Sequence, residues 1–127
     1  MIECYPYTVT DLDTGYWVPV EEFLCHFDQE DLINNRDAKN VVDAYSHEWF
    51  YSKVDENLMF ELPTIHMVSD KTQFISGRHK TSVLLKHLDI LPIAFYQNAL
   101  PLANSLKLKP IDLSKSIELP SLPMRNY

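Results

Sequence analysis

Phe74-Ile75-Ser76-Gly77-Arg78-His79-Lys80-Thr81 is the stretch on which the reading of this chain turns. Thr72-Gln73-Phe74-Ile75 has strand composition, and Ser76-Gly77 breaks it. Arg78 to Leu88 then carries Val83, Leu84 and Leu88 at helical spacing, Asp89 closes the helix, and Ile90 to Tyr96 returns as a strand. A strand that feeds through Gly into a helix leaves the first helical amides without partners. Those donors, with the positive end of the helix dipole, favour an anion. Gly77 permits a sharp turn and a close approach of backbone to a ligand. Arg78 adds a planar fork that matches phosphate, Lys80 a second cation, and His79 and Thr81 further donors. Cations at a helix start oppose its dipole, which gives the basic run more sense with an anion bound than without one. Gly77, Arg78, His79, Lys80 and Thr81 are therefore the expected phosphate-binding set.

Upstream of the turn, Thr64-Ile65-His66-Met67-Val68 reads as a strand, entered through Pro63 and followed by turn chemistry at Ser69-Asp70-Lys71. Tyr16 to Val20 reads as another strand after the turn-like Asp11 to Gly15, with one or two helical turns over Glu21 to Phe27. Arg36 to Tyr51 is the strongest helical pattern: Val41, Val42, Ala44, Tyr45 and Trp49 recur at spacings of three and four, with Asn34 or Asn35 as the cap. Downstream, Ala99 to Leu108 suits a short helix. Pro101, Pro110, Pro120 and Pro123 mark the rest as an extended tail over the surface. These elements predict an α+β fold: a single small domain over 1–127, with a short mixed sheet flanked by helices. A Pro-rich extension follows over 97–127.

Composition sets the outer bounds. The chain has 127 residues, 46% of them apolar and 23% charged, which suits one continuous core. No apolar run approaches the ~20 residues of a membrane span, and Met1 to Pro6 lacks the basic and apolar regions of a secretory signal. Cys4 and Cys25, with neither CxxC spacing nor a dense framework, read as free buried thiols in a reducing compartment. A cytoplasmic protein with no membrane partner is expected. The formal net charge of −7 is divided unevenly. Residues 1–62 hold 14 carboxylates against Arg36, Lys39 and Lys53, a balance of −11, whereas residues 63–127 carry a balance of +4. Such a surface argues against non-specific nucleic-acid binding, leaves room for one compact phosphate in the basic half, and lets the acidic half face a basic protein partner.

Over about residues 17–96, which the resemblance marks as the core, the order of short motifs resembles the N-terminal domain of ParB-type partition proteins and their relatives, the sulfiredoxins and free-serine kinases. Trp17-Val18-Pro19-Val20-Glu21-Glu22-Phe23 is similar to that family's opening strand and helix, and Asp37 to Tyr45 occupies the place of the next helix. Leu62-Pro63-Thr64-Ile65-His66-Met67-Val68 is similar to its Gln-Pro-Ile strand. Phe74 to Lys80 falls where the family carries its phosphate-binding Gly box, and Leu88-Asp89-Ile90-Leu91-Pro92-Ile93 falls at the following helix end and Val-Pro-Val strand. The resemblance implies a nucleotide or phosphorylated ligand, with Mg²⁺ as its companion, at Gly77 to Lys80. Arg78 stands at the position of the reactive Cys in sulfiredoxins and of a Glu common in partition proteins, so neither chemistry carries over and catalysis is left open. The ~30 residues after Gln97 are short and Pro-rich for a helix-turn-helix module, which argues against chromosome partitioning.

Other candidates are weaker. His79 and His87, eight apart, lie ~12 Å apart along a helix, too far to share a metal. His47-Glu48 offers half of a metal or acid–base pair, and no metal site is expected. His26, Asp28 and Glu30 suit a solvated loop better than a catalytic group. Tyr45, Trp49, Phe50 and Tyr51 suit core and rim packing better than a ligand cage. Asp70, Glu48 and Asp43 are the unranked candidates for a carboxylate beside the phosphate. The competing expectation is a non-catalytic acidic immunity or antitoxin protein that covers a basic toxin or nuclease.

Overall fold

Leu62 and Pro63 are where the chain passes from one sheet to another. The computed structural model describes residues 1–29 and 47–122. Before the crossover lie β1 (Ile2–Tyr7), β2 (Thr14–Pro19), helix α1 (Val20–His26), helix α2 (His47–Phe50), β3 (Ser52–Val54) and β4 (Asn57–Glu61). After it come β5 (Thr64–Val68), β6 (Lys71–Ser76), helix α3 (Arg78–Leu84) and β7 (Ile90–Phe95). A 3₁₀ turn (Gln97–Ala99) then leads into helix α4 (Leu100–Ser105), β8 (Lys109–Pro110) and β9 (Ile117–Leu119). The strands form a four-stranded sheet in the order β3-β4-β1-β9 and a five-stranded sheet in the order β6-β5-β7-β2-β8. The fold is α+β, as the sequence predicts, with two mixed sheets in place of one.

Each sheet contains one parallel pair, and the crossover joins them. β1 runs parallel to β4, with Tyr7 opposite Glu61, and β5 runs parallel to β7, with Thr64 opposite Ala94. The Leu62 amide donates to the Tyr7 carbonyl at 2.9 Å, extending the first pairing, while the Pro63 carbonyl accepts from Ala94 N–H at 2.7 Å, beginning the second. The two residues between β4 and β5 are therefore bonded into both sheets.

β7 is the central strand, with Leu91 to Phe95 all buried. Pro92 is tolerated there for a geometric reason. The amides of Ala94 and Tyr96 face β5, donating to Pro63 and Ile65, so the donor that Pro92 lacks falls on the same side, one step before β5 begins. α1 starts directly after Pro19, with Glu21 and Glu22 in its first turn, where carboxylates suit the dipole. The hairpin between β5 and β6 turns on Ser69 (φ 50°) and Asp70 (φ 67°), the paired positive φ of a type I′ turn.

One core draws on both sheets: Cys4, Phe60 and Leu119 from the first, and Val18, Ile65, Ile93 and Phe95 from the second. Phe95 meets Tyr16 and Phe27 edge-on at 5.3 and 5.8 Å, and Phe50 lies against Phe60 at 5.0 Å. Burial pushes the Cys4 thiol up to about 12 and the Tyr51 phenol further above its usual value, the latter with a contribution from neighbouring Cys4.

Several expectations are corrected. Cys4 is buried, but Cys25 is exposed, because α1 turns Phe23 inward instead. The segment after Gln97 is structural: β8 lines the edge beside β2, β9 pairs with β1, and the Tyr51 hydroxyl donates to the Pro120 carbonyl. The helix expected over Arg78–Leu88 ends at Leu84, where Lys86 and His87 tighten onto Val83 and Leu84 through three-residue hydrogen bonds. His87 therefore lies outside the helix that carries His79. Helix α2 ends at Phe50, one residue before the end of the expected Arg36–Tyr51 helix; Asn34, Asn35, and Asp37 to Tyr45, lie outside the described residues.

Candidate functional site

The Gly77 turn sits on the crossover. Gly77 has φ +83° and ψ 18°, the left-handed conformation that side chains disfavour. A Cβ placed there would lie 2.5 Å from Pro63 Cα and 2.7 Å from Pro63 Cβ. Gly77 thus makes a close backbone approach to Pro63. Thr81 then locks the turn: its amide and its hydroxyl both donate to the Gly77 carbonyl at 2.9 Å, and the side chain is fully buried. Of the five expected ligand residues, Thr81 is the one absent from the cavity wall, because its hydroxyl braces the backbone.

Gly77, Arg78, His79 and Lys80 line a cavity of about 310 Å³ together with Trp49, Glu61 and Ser76. Its walls come from different elements: Trp49 from α2, Glu61 from the end of β4, Ser76 from the end of β6, and the basic run from α3. Glu61 and Gly77 are neighbours here because Leu62-Pro63 carries the chain from one sheet to the other. With seven residues, α3 is too short for its dipole to supply much, so the side chains and the cavity carry the argument.

The polar atoms of this wall are under-used. Ser76 Oγ and His79 Nε2 are buried and have no hydrogen-bond partner among the described residues. An unmade bond at a buried polar atom costs about 1–3 kcal/mol, so such atoms invite a ligand. The His79 ring lies 6.4 Å from Trp49. Lys80 Nζ stands 5.2 Å from the centroid of the buried Phe60 ring. Burial lowers its amine from the ordinary lysine range, and the negative charge of Glu61 partly restores it.

The other candidates fall elsewhere. Asp70 and Asp28 line a shallower depression with Cys25 and His26, and His26 Nε2 lies 3.3 Å from Glu22 Oε2 on the α1 surface. Glu48 is exposed, and Glu30, Asp43 and Tyr45 lie outside the described residues. His47 packs on Tyr51 at 5.1 Å; Phe50 and Tyr51 are core, as expected, whereas Trp49 lines the cavity. Among the described residues no group of three or more His, Cys, Asp or Glu is placed to hold a metal, and no helix is long and apolar enough to cross a membrane. Sequence reasoning missed Glu61 and Trp49 as site residues. Neither has a local motif, and only the pairing of β1 with β4 and the packing of α2 bring them to the turn.

Comparison with protein-family models, with curated proteins and with solved structures finds no match for the chain.

Proposed function

We propose that the cavity at the Gly77–Lys80 turn binds a phosphorylated small molecule or nucleotide, in the manner of a divergent ParB/sulfiredoxin-like domain. The observation that carries the reading is the pair of buried polar atoms with no partner among the described residues, Ser76 Oγ and His79 Nε2, in a wall that also presents Arg78 and Lys80. Arg78 grips phosphate oxygens through its planar fork, His79 Nε2 and Ser76 Oγ supply hydrogen bonds, and Trp49 offers a flat face for a base. Glu61 is the carboxylate among the described residues of the wall. The family resemblance rests on the sequence order given above.

Thermal unfolding with inorganic pyrophosphate and nucleoside triphosphates, with and without Mg²⁺, tests the reading. A ligand at a hundred times its Kd adds about 2.7 kcal/mol to stability, and Arg78→Ala should remove the gain. No shift with any probe, together with copurification of a basic protein, would transfer the function to the acidic N-terminal half, where Asp11, Glu21, Asp55 and Glu56 are exposed.

A further inference from the structure

The cavity places two unlike cations side by side. Arg78 presents a planar fork that matches phosphate geometry. Lys80 lies with its amine over the Phe60 ring, in the same wall as Glu61 and at the inner end of the basic run. Lys53, Lys71, Lys86, Lys107, Lys109 and Lys115 are all exposed, whereas Lys80 is half-buried. A desolvated ammonium is a costly anchor for phosphate but a favourable source of free amine. The lowered affinity of this amine for its proton agrees with that role.

We infer that Lys80 is a nucleophilic amine that forms an imine with a phosphorylated aldehyde or ketone whose phosphate is held by Arg78 and His79. The inference rests on the phosphate-binding reading and narrows its substrate class. In the step, the neutral Lys80 nitrogen adds to the carbonyl carbon and a C–N bond forms. The carbonyl C–O bond then breaks, and the oxygen leaves as water with the two protons of the amine, relayed by Glu61. The products are one imine and one water, so atoms and charge balance without oxidant or reductant.

Pyridoxal 5′-phosphate serves as the probe, with pyridoxal as its phosphate-free control. The full chain is incubated with each, reduced with cyanoborohydride and mapped by peptide mass spectrometry. The expected result is one dominant adduct at Lys80, favoured at least about tenfold by the phosphorylated probe, competed by pyrophosphate and lost in Lys80→Arg. In Arg78→Ala, that preference for the phosphorylated probe should disappear. Simple accessibility predicts the reverse, with Lys80 labelled more slowly than the exposed lysines, and that pattern overturns the inference. Where pyrophosphate still raises Tm, only the amine's role falls; where it does not, the phosphate reading falls with it.

Discussion

The two glycines of this chain press on the same two-residue crossover and teach different lessons about it. Gly15, in β2, is buried in the core; a Cβ there would meet Leu62 Cδ1 at 2.8 Å, the far end of a flexible side chain. Gly77 faces Pro63, where the obstacle is the Cα itself at 2.5 Å, and its own φ of +83° adds strain to any substitution. On the Gly15 side the crossover is packed by side chains that can shift. On the Gly77 side it is fixed by backbone, and a polar cavity opens beside it. The first side is built for stability and the second holds geometry at some expense to stability.

The largest test of that contrast is Gly77→Ala. Left-handed strain of about 1–2 kcal/mol joins a backbone clash, and the expected loss is about 3 kcal/mol or more, a fall in Tm of about 10 °C or more. Pro63→Ala should not rescue it, because the offending Cα remains. Gly15→Ala comes next, at about 1–2 kcal/mol from overpacking. Here Leu62→Val should rescue, so that the double variant loses less than the two singles together, a coupling of at least about 0.5 kcal/mol. Equal rescue at both glycines would erase the distinction between them.

Smaller effects probe the cavity side, where removing polar groups should cost nothing. Lys80→Met keeps a side chain over Phe60 and discards a desolvated charge. At neutral pH it should raise stability by about 0.5 kcal/mol, solvent screening having reduced the cost of the charge. The sign follows from the lowered lysine: its protonated form is disfavoured by folding, so the penalty holds below the folded value and fades as pH rises through the ordinary 10.5. Urea midpoints that converge between wild type and Lys80→Met as pH climbs would support this, and a constant gap would refute it. The smallest change expected is Ser76→Ala, neutral or stabilising by a few tenths of a kcal/mol, because its hydroxyl has no partner among the described residues to lose. A loss above about 1 kcal/mol would show that the hydroxyl is structurally engaged.

Local chemistry made half of this legible in the sequence. Gly77 punctuating a strand and a helix was readable because a left-handed residue is needed there, and the basic run beside it could be named residue by residue. Thr81 braces the Gly77 carbonyl, a role that sequence does not separate from ligand binding, since a hydroxyl one turn into a helix serves either equally well. Glu61 carried no local sign at all, and Trp49 carried only the aromatic pattern that reads as packing. Their place in the wall depends on β4 pairing with β1 and on where α2 packs, both long-range outcomes. Likewise β8 and β9 come from a Pro-rich stretch whose composition says loop, and partners far along the chain make it strand.

The crossover also bears on how the chain folds. The amide of Leu62 is satisfied only when β4 finds β1, and the carbonyl of Pro63 only when β7 finds β5. Each event closes a long loop before any contact rewards it, and parallel pairings of this range are slow. Docking of Gly77 onto Pro63 is therefore expected late, after both sheets exist. Gly15→Ala/Leu62→Val would then change the folding rate, while Gly77→Ala would act mainly on the rate of unfolding.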